Sequence, residues 1–486
     1  MTRSLTLADI YNALSAAPWP AAWPNPTLTD VVIDSRQATP GSLFVAFPGE
    51  RTDGHAYVAH AFSRGAVAAM VQRPVEAEAT VLDLRRPEAA RPDRVALPVC
   101  LLVPDCMVAL QDAAAAWRRR FDLRVVGITG SVGKTTTKEI TAQVLSRRYR
   151  TLKSLGNLNN EIGVPLTVLR LRSEHQCLVQ EMGMYQLGEI ARFCEIAQPQ
   201  VGVVTNVGPV HLERLGTIER IAQAKAELVE ALPPDGVAVL NADDPLVAAM
   251  ASKTRARVFT YGLTPEADLW ADEIVSQGME GIRFRFHYQG EVLHIKVPLL
   301  GRHSVHTALR AAAVGLIEGL SWEEIVAGLQ ETGAQLRLVV VPGVRGATLL
   351  DDTYNASPAS TLAALNLLAD LDVNGGRRIA VLGDMLELGT YEETGHRMVG
   401  ARAADVVDYL VTVGQRARWI ADEAVSAGLP AARVIVLGSA QDAIERLRLL
   451  IGPGDMVLIK GSRGVQMEQI VSALSLSPRA ATEEVP

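Results

Sequence analysis

The sequence predicts an α/β protein of three domains, each organised around a largely parallel sheet. Its 486 residues are enough for about three domains of roughly 150 residues each. Short apolar runs alternate with helical patterns along most of the chain, which is the arrangement of βα units in a parallel sheet. A glycine-rich turn also joins one apolar run to the helix after it, as in a phosphate-binding loop.

The first predicted domain covers residues 1–104. It ends in a stretch rich in proline and arginine, RRPEAARPDR, which begins at Arg85. This composition is typical of exposed segments, so we interpret the stretch as a surface loop or a linker.

The second predicted domain covers residues 105–337 and opens with a helical pattern over residues 106–121. Its predicted strands include the apolar runs that begin at Arg124, Leu178, Val201 and Val237. From Ile282 to Val297 the pattern changes to two-residue alternation, which predicts a hairpin beside the main sheet.

The third predicted domain covers residues 338–486 and repeats the strand–helix alternation. Its predicted strands are ATLLDD, RIAVLGD, YLVTVG, RVIVLG and DMVLIKG, with helices after Pro358 and Tyr391 among those that follow them. This rhythm predicts a second doubly wound α/β domain.

Composition and charge argue against several classes of protein. Apolar residues make up 48% of the chain and charged residues 21%, the balance of a globular protein. The net charge of -7 gives no support for nucleic-acid binding, and we interpret the basic run Arg118 to Arg120 as a solvated helix end. No apolar run approaches the ~18 residues that a membrane span needs. Asp9 interrupts any apolar core of a signal peptide.

The cysteines indicate a reducing compartment. Cys100, Cys106, Cys177 and Cys194 form no CxxC pair and have no zinc-ligand spacing, so we interpret them as free thiols that are either buried or without a specific role. We therefore expect a cytoplasmic protein, a monomer, with neither nucleic acid nor a membrane as a partner.

The phosphate loop is the strongest chemical signal in the sequence. It consists of Gly130, Ser131, Val132, Gly133, Lys134, Thr135 and Thr136. The glycines let backbone N–H groups surround phosphate oxygens, Lys134 supplies a cation, and the Thr135 hydroxyl can bind Mg²⁺. Ile128 stands where the common P-loop has glycine. A phosphate loop alone would also fit GTPases, kinases and motor ATPases, although the chain has no NKxD guanine-reading motif.

The shortened loop resembles that of the Mur ligases and folylpolyglutamate synthases, and other segments extend the resemblance to the Mur ligases. In chain order these segments are DSR, GSLFVAFPGERTDGHAYV, RGAVAAMV, GNLNNEIGVPLT, EMGM, TNVGPVHLERLGTIERIAQAKAEL, DDTYNASPAS, VLGDMLELG and KGSRGVQME. The asparagine-rich segment, LGDMLELG and KGSR together resemble the dipeptide-adding branch of the family most.

The resemblance implies an N-terminal UDP-binding α/β domain, a central P-loop ATPase-like domain with a parallel sheet, and a C-terminal Rossmann-like domain. It further implies that ATP, with two Mg²⁺ ions, converts the carboxylate of UDP-N-acetylmuramoyl-tripeptide into an acyl phosphate that D-alanyl-D-alanine attacks. A sibling ligase that adds a single amino acid, or a nucleotide-operated binding protein without ligation, would also fit the scaffold. The third residue of the tripeptide stays open between diaminopimelate and lysine.

The resemblance also assigns roles to individual residues. The implied catalytic residues are Lys134, Glu181, Asn206, His211, Lys225 and Arg337. The implied metal ligands are Thr135, Glu181, His211 and Lys225, the lysine as a carbamate. The nucleotide would bind the loop from Gly130 to Thr136 together with Asn160, Thr307, Asp352, Tyr354 and Asn355. The implied substrate contacts are Ser35, Arg36, Asp53, Gly54, His55, Asp384, Glu387, Ser462 and Arg463.

For most of these residues an ordinary structural role is the alternative. A carboxylate at a strand end, a histidine after a strand and a lysine on a helix are common features of surfaces. The segment GRHSVHTA also departs from the family pattern, because Ser304 and Thr307 replace two asparagines. Ser357 replaces another. None of these changes affects the phosphate loop or the implied metal ligands, so we expect catalysis to be retained.

Overall fold

Three sheets organise the chain, and each consists largely of parallel strands. The computed structural model describes residues 3–49, 52–86, 92–331, 338–373 and 375–476. We call the parts around the three sheets the first, central and third units. Within these ranges no helix has both the length and the apolar character needed to traverse a bilayer.

The first unit has a five-stranded parallel sheet in the order β1-β2-β3-β5-β4. Its elements are α1 (Leu7–Leu14), β1 (Val31–Val32), β2 (Leu43–Val45), α2 (Val58–Ser63), β3 (Ala68–Val71), β4 (Thr80–Asp83) and β5 (Val99–Leu102). Strands β2, β3 and β5 are buried along their whole length, as expected for a parallel sheet that is covered on both faces.

The central unit has a nine-stranded sheet in the order β14-β13-β12-β11-β10-β9-β6-β8-β7. Its elements are α3 (Cys106–Arg118), β6 (Arg124–Thr129), α4 (Lys134–Ser146), β7 (Thr151–Lys153), α5 (Gly163–Leu169), β8 (Cys177–Glu181), α6 (Glu189–Ala197), β9 (Val201–Val204), α7 (Leu212–Leu215), α8 (Ile218–Glu230), β10 (Val237–Asn241), α9 (Pro245–Ala248), β11 (Arg257–Gly262), β12 (Leu269–Ser276), β13 (Ile282–Tyr288), β14 (Glu291–Val297), α10 (Val305–Ile317) and α11 (Trp322–Leu329). Strands β12 to β14 pair antiparallel at one edge.

The third unit has a six-stranded sheet in the order β15-β16-β20-β17-β18-β19. Its elements are β15 (Val339–Pro342), β16 (Thr348–Asp352), α12 (Pro358–Asp370), β17 (Arg378–Gly383), α13 (Glu392–Val406), β18 (Tyr409–Val413), α14 (Arg418–Ser426), β19 (Val434–Leu437), α15 (Ala440–Leu450), β20 (Met456–Lys460) and α16 (Glu468–Leu474). Strand β15 pairs antiparallel with β16, and the other pairs are parallel.

A continuous apolar core joins the first and central units. It extends from Leu7 and Ile10 of α1 through Leu110 and Trp117 of α3 to Leu228 of α8. The third unit has separate cores on the two faces of its own sheet. The first two units are therefore packed as one body.

The predicted fold class is confirmed, and the predicted strands of the second and third domains are present. Strand β6 coincides with the predicted run Arg124–Thr129, and β13 and β14 form the predicted hairpin. Strands β7, β11 and β12 were not predicted. Each is only partly buried, and none of their sequences is a continuous apolar run. The residue limits of the three predicted domains stay a prediction.

The interpretation of the run from Arg118 to Arg120 was wrong for its first residue. Arg118 is buried, and its guanidinium donates hydrogen bonds to the backbone carbonyls of Ala197, Phe121 and Leu123. These carbonyls take the place of water around the charge, which allows the guanidinium to be buried.

Candidate active site

Loops at the carboxyl ends of the strands enclose a cavity of about 810 Å³ between the central and third units. Its lining comes from the phosphate loop, the loops after β7, β8 and β9, the beginning of α10, and the loops after β16, β17 and β20. Open α/β sheets bind ligands at this end of their strands, and the volume is in the range of small-molecule sites.

The phosphate loop connects β6 to α4 and has a backbone that only glycine can supply at two positions. Gly130 has a φ of 143°, and a Cβ built on it would lie 1.8 Å from Thr205 Oγ1. Gly133 has a φ of 85° and forms the N-cap of α4. The loop therefore directs N–H groups at the start of α4 toward the cavity, which is the arrangement that binds phosphate.

Asn206 holds the phosphate loop in place. Its Oδ1 accepts the N–H of Val132 at 2.9 Å, and its Nδ2 donates to the carbonyl of Val132, also at 2.9 Å. Its backbone carbonyl accepts the N–H of Ser131 at 2.9 Å. Asn206 also lines the cavity. These contacts give Asn206 a positioning role for the loop, and its predicted catalytic role stays a prediction.

Glu181 ends β8 behind the phosphate loop and is fully buried. Its Oε1 accepts hydrogen bonds from the hydroxyl of Thr135 at 3.1 Å and from Nδ2 of Asn159 at 2.7 Å. Its Oε2 has no hydrogen-bond partner among the residues that the structure describes. Lys138 Nζ lies 4.0 Å from this oxygen, which is too far for a hydrogen bond. A buried carboxylate oxygen without a hydrogen-bond donor is unfavourable, so this position suits a metal cation.

The oxygen ligands at this position fit Mg²⁺. Thr135 and Glu181 supply a hydroxyl and a carboxylate, and Mg²⁺ is commonly held by one or two such groups together with phosphate oxygens. The described ranges contain no group of three or more His, Cys, Asp or Glu side chains arranged to hold a metal ion. The predicted participation of His211 and Lys225 in metal binding stays a prediction.

A buried charge network behind Glu181 was not predicted from the sequence. Lys138 Nζ lies 4.0 Å from Glu181 Oε2 and 3.0 Å from Glu139 Oε1, and it donates to the carbonyl of Gly156 at 3.0 Å. Glu139 also pairs with Lys153. The sequence signal was weak, because adjacent Lys and Glu residues on a helix are common on protein surfaces.

Lys225 lies on α8 with 2% of its surface exposed, and it lines the cavity. Burial, and then the charge of Lys134, hold the pKa of the Lys225 ammonium well below its ordinary value. None of the described residues forms a hydrogen bond with its Nζ. A neutral amine is the form that can react with CO₂, so these surroundings suit the predicted carbamate.

His211 connects the central unit to the third unit. Its Nδ1 lies 2.5 Å from Oε2 of Glu387, and its ring packs edge-on against Tyr185 at 5.2 Å. The His211 hydrogen bond is the largest influence on the pKa of the Glu387 carboxyl, which lies below its ordinary value. Because Nδ1 faces Glu387, only Nε2 is available for the predicted metal contact.

The predicted nucleotide residues of the third unit lie around a buried ion pair. Lys460 Nζ lies 2.6 Å from Oδ2 of Asp352 and donates to the carbonyl of Asn355 at 2.9 Å. Asp352, Tyr354 and Asn355 all line the cavity, opposite the phosphate loop. Lys460 was not singled out as a site residue, because its partner lies 108 positions away in the sequence.

The segment at the beginning of α10 contributes hydroxyl groups in place of the expected asparagines. The hydroxyl of Ser304 donates to the carbonyl of Leu300 at 2.6 Å, while the hydroxyl of Thr307 accepts from Nη2 of Arg310 at 2.9 Å. Both residues line the cavity. Arg310 was missed by sequence reasoning, since it lies within an alanine-rich helix.

The predicted contacts of the first unit lie outside this cavity, since none of Ser35, Arg36, Asp53, Gly54 and His55 lines it. Ile33 does line it. Arg36 forms an ion pair with Asp34, and the hydroxyl of Ser35 lies 2.9 Å from Nδ1 of His60.

Both ring nitrogens of His55 contact other groups of the protein. Its Nδ1 lies 2.7 Å from Oδ1 of Asp53, and its Nε2 accepts the N–H of Gln72 at 2.9 Å. A Cβ on Gly54 would lie 2.8 Å from the carbonyl oxygen of Phe47, so this turn needs a glycine. Because both ring nitrogens of His55 have partners within the protein, a direct substrate contact through its ring is disfavoured.

The four predicted substrate residues of the third unit divide into two groups. Glu387, Ser462 and Arg463 line the cavity, whereas Asp384 does not. The Oδ1 of Asp384 accepts the N–H of Ala417 at 2.7 Å, so this carboxylate organises the beginning of α14. The remaining predicted residues are Asn160, which lines the cavity, and Arg337, which lies outside the described residues.

Three family descriptions match the chain in succession. The Mur ligase family catalytic domain matches residues 27–117, the Mur ligase middle domain matches residues 128–315, and the Mur ligase glutamate ligase domain matches residues 336–463.

Curated relatives are similar over most of their length. The UDP-N-acetylmuramoyl-tripeptide–D-alanyl-D-alanine ligase of Bacillus subtilis is 37% identical over 453 residues, covering 92% of this chain and 93% of the relative. The ligase of the same name from Escherichia coli is 37% identical over 457 residues, covering 92% and 94%.

Solved structures show the same similarity. A crystal structure of MurF from Acinetobacter baumannii has a TM-score of 0.81 and 32% identity, covering 97% of this chain and 98% of that one. MurF from Thermotoga maritima in complex with ADP has a TM-score of 0.75 and 28% identity, covering 91% and 96%.

Proposed function

Because this chain belongs to the Mur ligase family, we propose that it joins D-alanyl-D-alanine to UDP-N-acetylmuramoyl-tripeptide and converts ATP to ADP and phosphate. The observation that carries the proposal is the arrangement around the loop Gly130–Gly133. The start of α4 and the buried Lys225 line one cavity. The buried carboxylate of Glu181 lies behind the loop, where it accepts a hydrogen bond from Thr135 and keeps an Oε2 that accepts none from the described residues.

The proposed reaction has two steps. A carboxylate oxygen of the tripeptide attacks the γ-phosphorus of ATP, so ADP leaves and an acyl phosphate forms. The neutral amine of the dipeptide then attacks the acyl carbon, and the C–O bond to phosphate breaks. The proton lost by the amine leaves with the phosphate, so atoms and charge balance. Negative charge accumulates on phosphoryl oxygens in both steps, which favours a site rich in N–H donors and cations.

We propose separate roles for the residues that bind phosphate, hold metal ions and position the loop. The loop and Lys134 bind the polyphosphate, and Asn206 keeps the loop in position. Thr135 and Glu181 would hold Mg²⁺, which supplies charge neutralisation on the transferred phosphoryl group. Lys225, as a carbamate, together with His211, is proposed to hold a second ion.

The third unit is proposed to complete the site by closing on the central unit. Asp352, Tyr354 and Asn355 would contact the nucleotide, and Glu387, Ser462 and Arg463 would lie near the peptide substrates. A guanidinium can bind a carboxylate through two hydrogen bonds, so Arg463 is suited to the free carboxyl group of the dipeptide. Closure would also keep water from the acyl phosphate.

The proposal places the enzyme in the cytoplasm and uses a single chain. Its four cysteines are buried free thiols, which suits a reducing compartment. We also propose that the enzyme acts as a monomer.

The test is an assay of phosphate release with UDP-N-acetylmuramoyl-tripeptide, ATP and Mg²⁺, to which either D-alanyl-D-alanine or single amino acids are added. We expect release only with the dipeptide, together with formation of the pentapeptide. Release with a single amino acid would instead assign the chain to a sibling activity. ATP binding without any release that depends on an acceptor would indicate a binding protein and overturn the proposal.

A further inference from the structure

Arg310 carries a positive charge in the interior of the central unit, near the phosphate loop. It lies on α10 with 4% of its surface exposed, and it lines the cavity. A Cβ built on Gly133 would lie 3.3 Å from its Nη2, so the guanidinium is adjacent to the N-cap residue of α4.

The contacts of Arg310 leave its charge without an anionic partner. Nη2 donates to the hydroxyl of Thr307 at 2.9 Å, Nη1 lies 3.5 Å from the hydroxyl of Tyr261, and the guanidinium lies 5.8 Å from the centre of the Tyr261 ring. Its Nε has no hydrogen-bond partner, and it forms no ion pair with a carboxylate, among the described residues. A buried charge is normally paired with an opposite charge. Arg310 has no such counter-ion among the described residues, so its surroundings favour an anionic ligand.

We propose that Arg310 binds the phosphate of ATP and ADP that adjoins the nucleoside. This inference rests on the proposed function, because it takes an adenine nucleotide as the ligand. Lys134 already supplies a cation at the start of α4, while Arg310 lies between Gly133 and the hydroxyls of Thr307 and Tyr261. The hydrogen bond that Arg310 donates to the hydroxyl of Thr307 holds the guanidinium in place, so Thr307 acts through Arg310 as a positioning residue.

The proposal makes a prediction about the protein without ligand. Arg310→Met removes a buried charge and keeps a side chain of similar length, and such replacements are often neutral or stabilising. We therefore expect the melting temperature of the free variant to equal or exceed that of the wild type. The rise in melting temperature that ADP produces should be smaller in the variant.

The decisive experiment is isothermal titration calorimetry of the full chain with ADP and with adenosine, in the presence of Mg²⁺. We expect Arg310→Met to weaken ADP binding roughly 10- to 100-fold, the range of a charged hydrogen-bonded contact, and to change adenosine binding less than about twofold. Arg310→Lys keeps the positive charge but loses the planar guanidinium with its paired N–H donors. Its affinity for ADP should lie between those of the wild type and Arg310→Met. Thr307→Val should weaken ADP binding less than Arg310→Met does.

Arg302→Met is the matched control, since Arg302 is exposed at the start of the same segment and does not line the cavity. It should bind both ligands like the wild type. Unchanged ADP binding by Arg310→Met would overturn the inference. Equal weakening of ADP and adenosine, with a lowered melting temperature, would also overturn it and assign Arg310 to the fold.

The outcome can be separated from that of the proposed function. If the wild type binds ADP through Arg310 but releases no phosphate with the dipeptide, the proposed function fails and this inference stands. If the wild type ligates while Arg310→Met keeps its affinity for ADP, this inference alone fails. A wild type that does not bind ADP would overturn both.

Discussion

His211 of the central unit and Glu387 of the third unit lie 2.5 Å apart, Nδ1 to Oε2, and both have left-handed backbone, with φ values of 57° and 64°. Left-handed backbone is unfavourable for residues with a Cβ and is found mainly where surrounding structure holds it in place. The backbone N–H of Glu213 also donates to the carbonyl of Glu387 at 3.4 Å. This pair is thus a specific contact between the two units that enclose the cavity.

Replacing Glu387 with glutamine should favour the open arrangement of the units. The carboxylate loses its charge while its shape is kept, so the contact with His211 becomes weaker. We expect a larger radius of gyration by small-angle X-ray scattering at pH 7 and a rate of ligation about tenfold lower. Glu393→Gln is the control, because Glu393 is an exposed residue of the same unit that pairs with Arg397. Equal radii for wild type and Glu387→Gln would contradict the role of the contact.

The pH dependence of this contact follows from the lowered pKa of Glu387, whose largest cause is the hydrogen bond with His211. A carboxyl group with a lowered pKa in the folded state contributes stability above its ordinary value, which is 4.5 here. That contribution is lost as the pH falls through the lowered pKa. The difference in radius between wild type and Glu387→Gln should therefore be present near pH 7 and decrease in acid.

Lys225→Met should abolish ligation and stabilise the protein at neutral pH. Burial, and then the charge of Lys134, lower the pKa of the Lys225 ammonium, whose ordinary value is 10.5. At a pH between the lowered pKa and 10.5, Lys225 is protonated in the unfolded chain but neutral in the folded chain. The folded state therefore gains stability relative to the unfolded state as the pH rises, and Lys225 destabilises the fold less. In buffer without bicarbonate, the gap in melting temperature between Lys225→Met and wild type should be positive at pH 7 and should decrease toward pH 10.

Chemical rescue tests the carbamate directly. Lys225→Ala should be inactive, and a short carboxylic acid added to the assay should restore part of its activity. Lys253→Ala serves as the control, since Lys253 is an exposed residue of the same unit and should keep full activity. Full activity of Lys225→Ala without the acid would remove Lys225 from the mechanism.

Gly130→Ala should strongly weaken nucleotide binding. A Cβ at this position would lie 1.8 Å from Thr205 Oγ1 and 3.1 Å from the backbone nitrogen of Asn206, so the loop must move away from Asn206. We expect kcat/KM to fall roughly 100-fold or more, with ADP affinity falling in parallel. Gly208→Ala is the matched control beside the same loop, because its new methyl group would meet Ser131 at an ordinary 3.7 Å.

Asp352→Asn should destabilise the third unit. The change leaves the ammonium of Lys460 buried without a counter-charge, and breaking such a pair costs about 3 kcal/mol. Hydrogen exchange measured by mass spectrometry should show faster exchange in peptides that cover β16 and β20. The double variant with Lys460→Met should recover part of the loss. Asp405→Asn, at an exposed ion pair of the same unit, should change little, since such pairs contribute about 0–1 kcal/mol.

Most strands of the central and third units could be predicted because each is a local pattern. The run Arg124–Thr129 is apolar along its length, and Ile282–Val297 alternates with a period of two. The phosphate loop is equally local, because its glycines, lysine and threonine follow one another. The strand patterns and the phosphate-binding groups of these segments can therefore be recognised from consecutive residues.

The partners of the site residues could not be predicted, because they depend on how distant elements pack. Glu387 lies 176 positions from His211, and Lys460 lies 108 positions from Asp352. The buried state of Arg118 depends on carbonyls from the end of α6 and from the segment between α3 and β6. Sequence patterns alone indicate which residues are polar but not which of them lose contact with water.

The apolar core that α1, α3 and α8 share has a mechanical consequence. Any large separation of the first unit from the central unit would expose Leu7, Leu110 and Leu228 to water. The hydrophobic effect opposes such a motion. The third unit has interiors of its own and can rotate as a rigid piece without exposing them. We therefore expect the first and central units to stay together as one rigid body while the third unit moves relative to them.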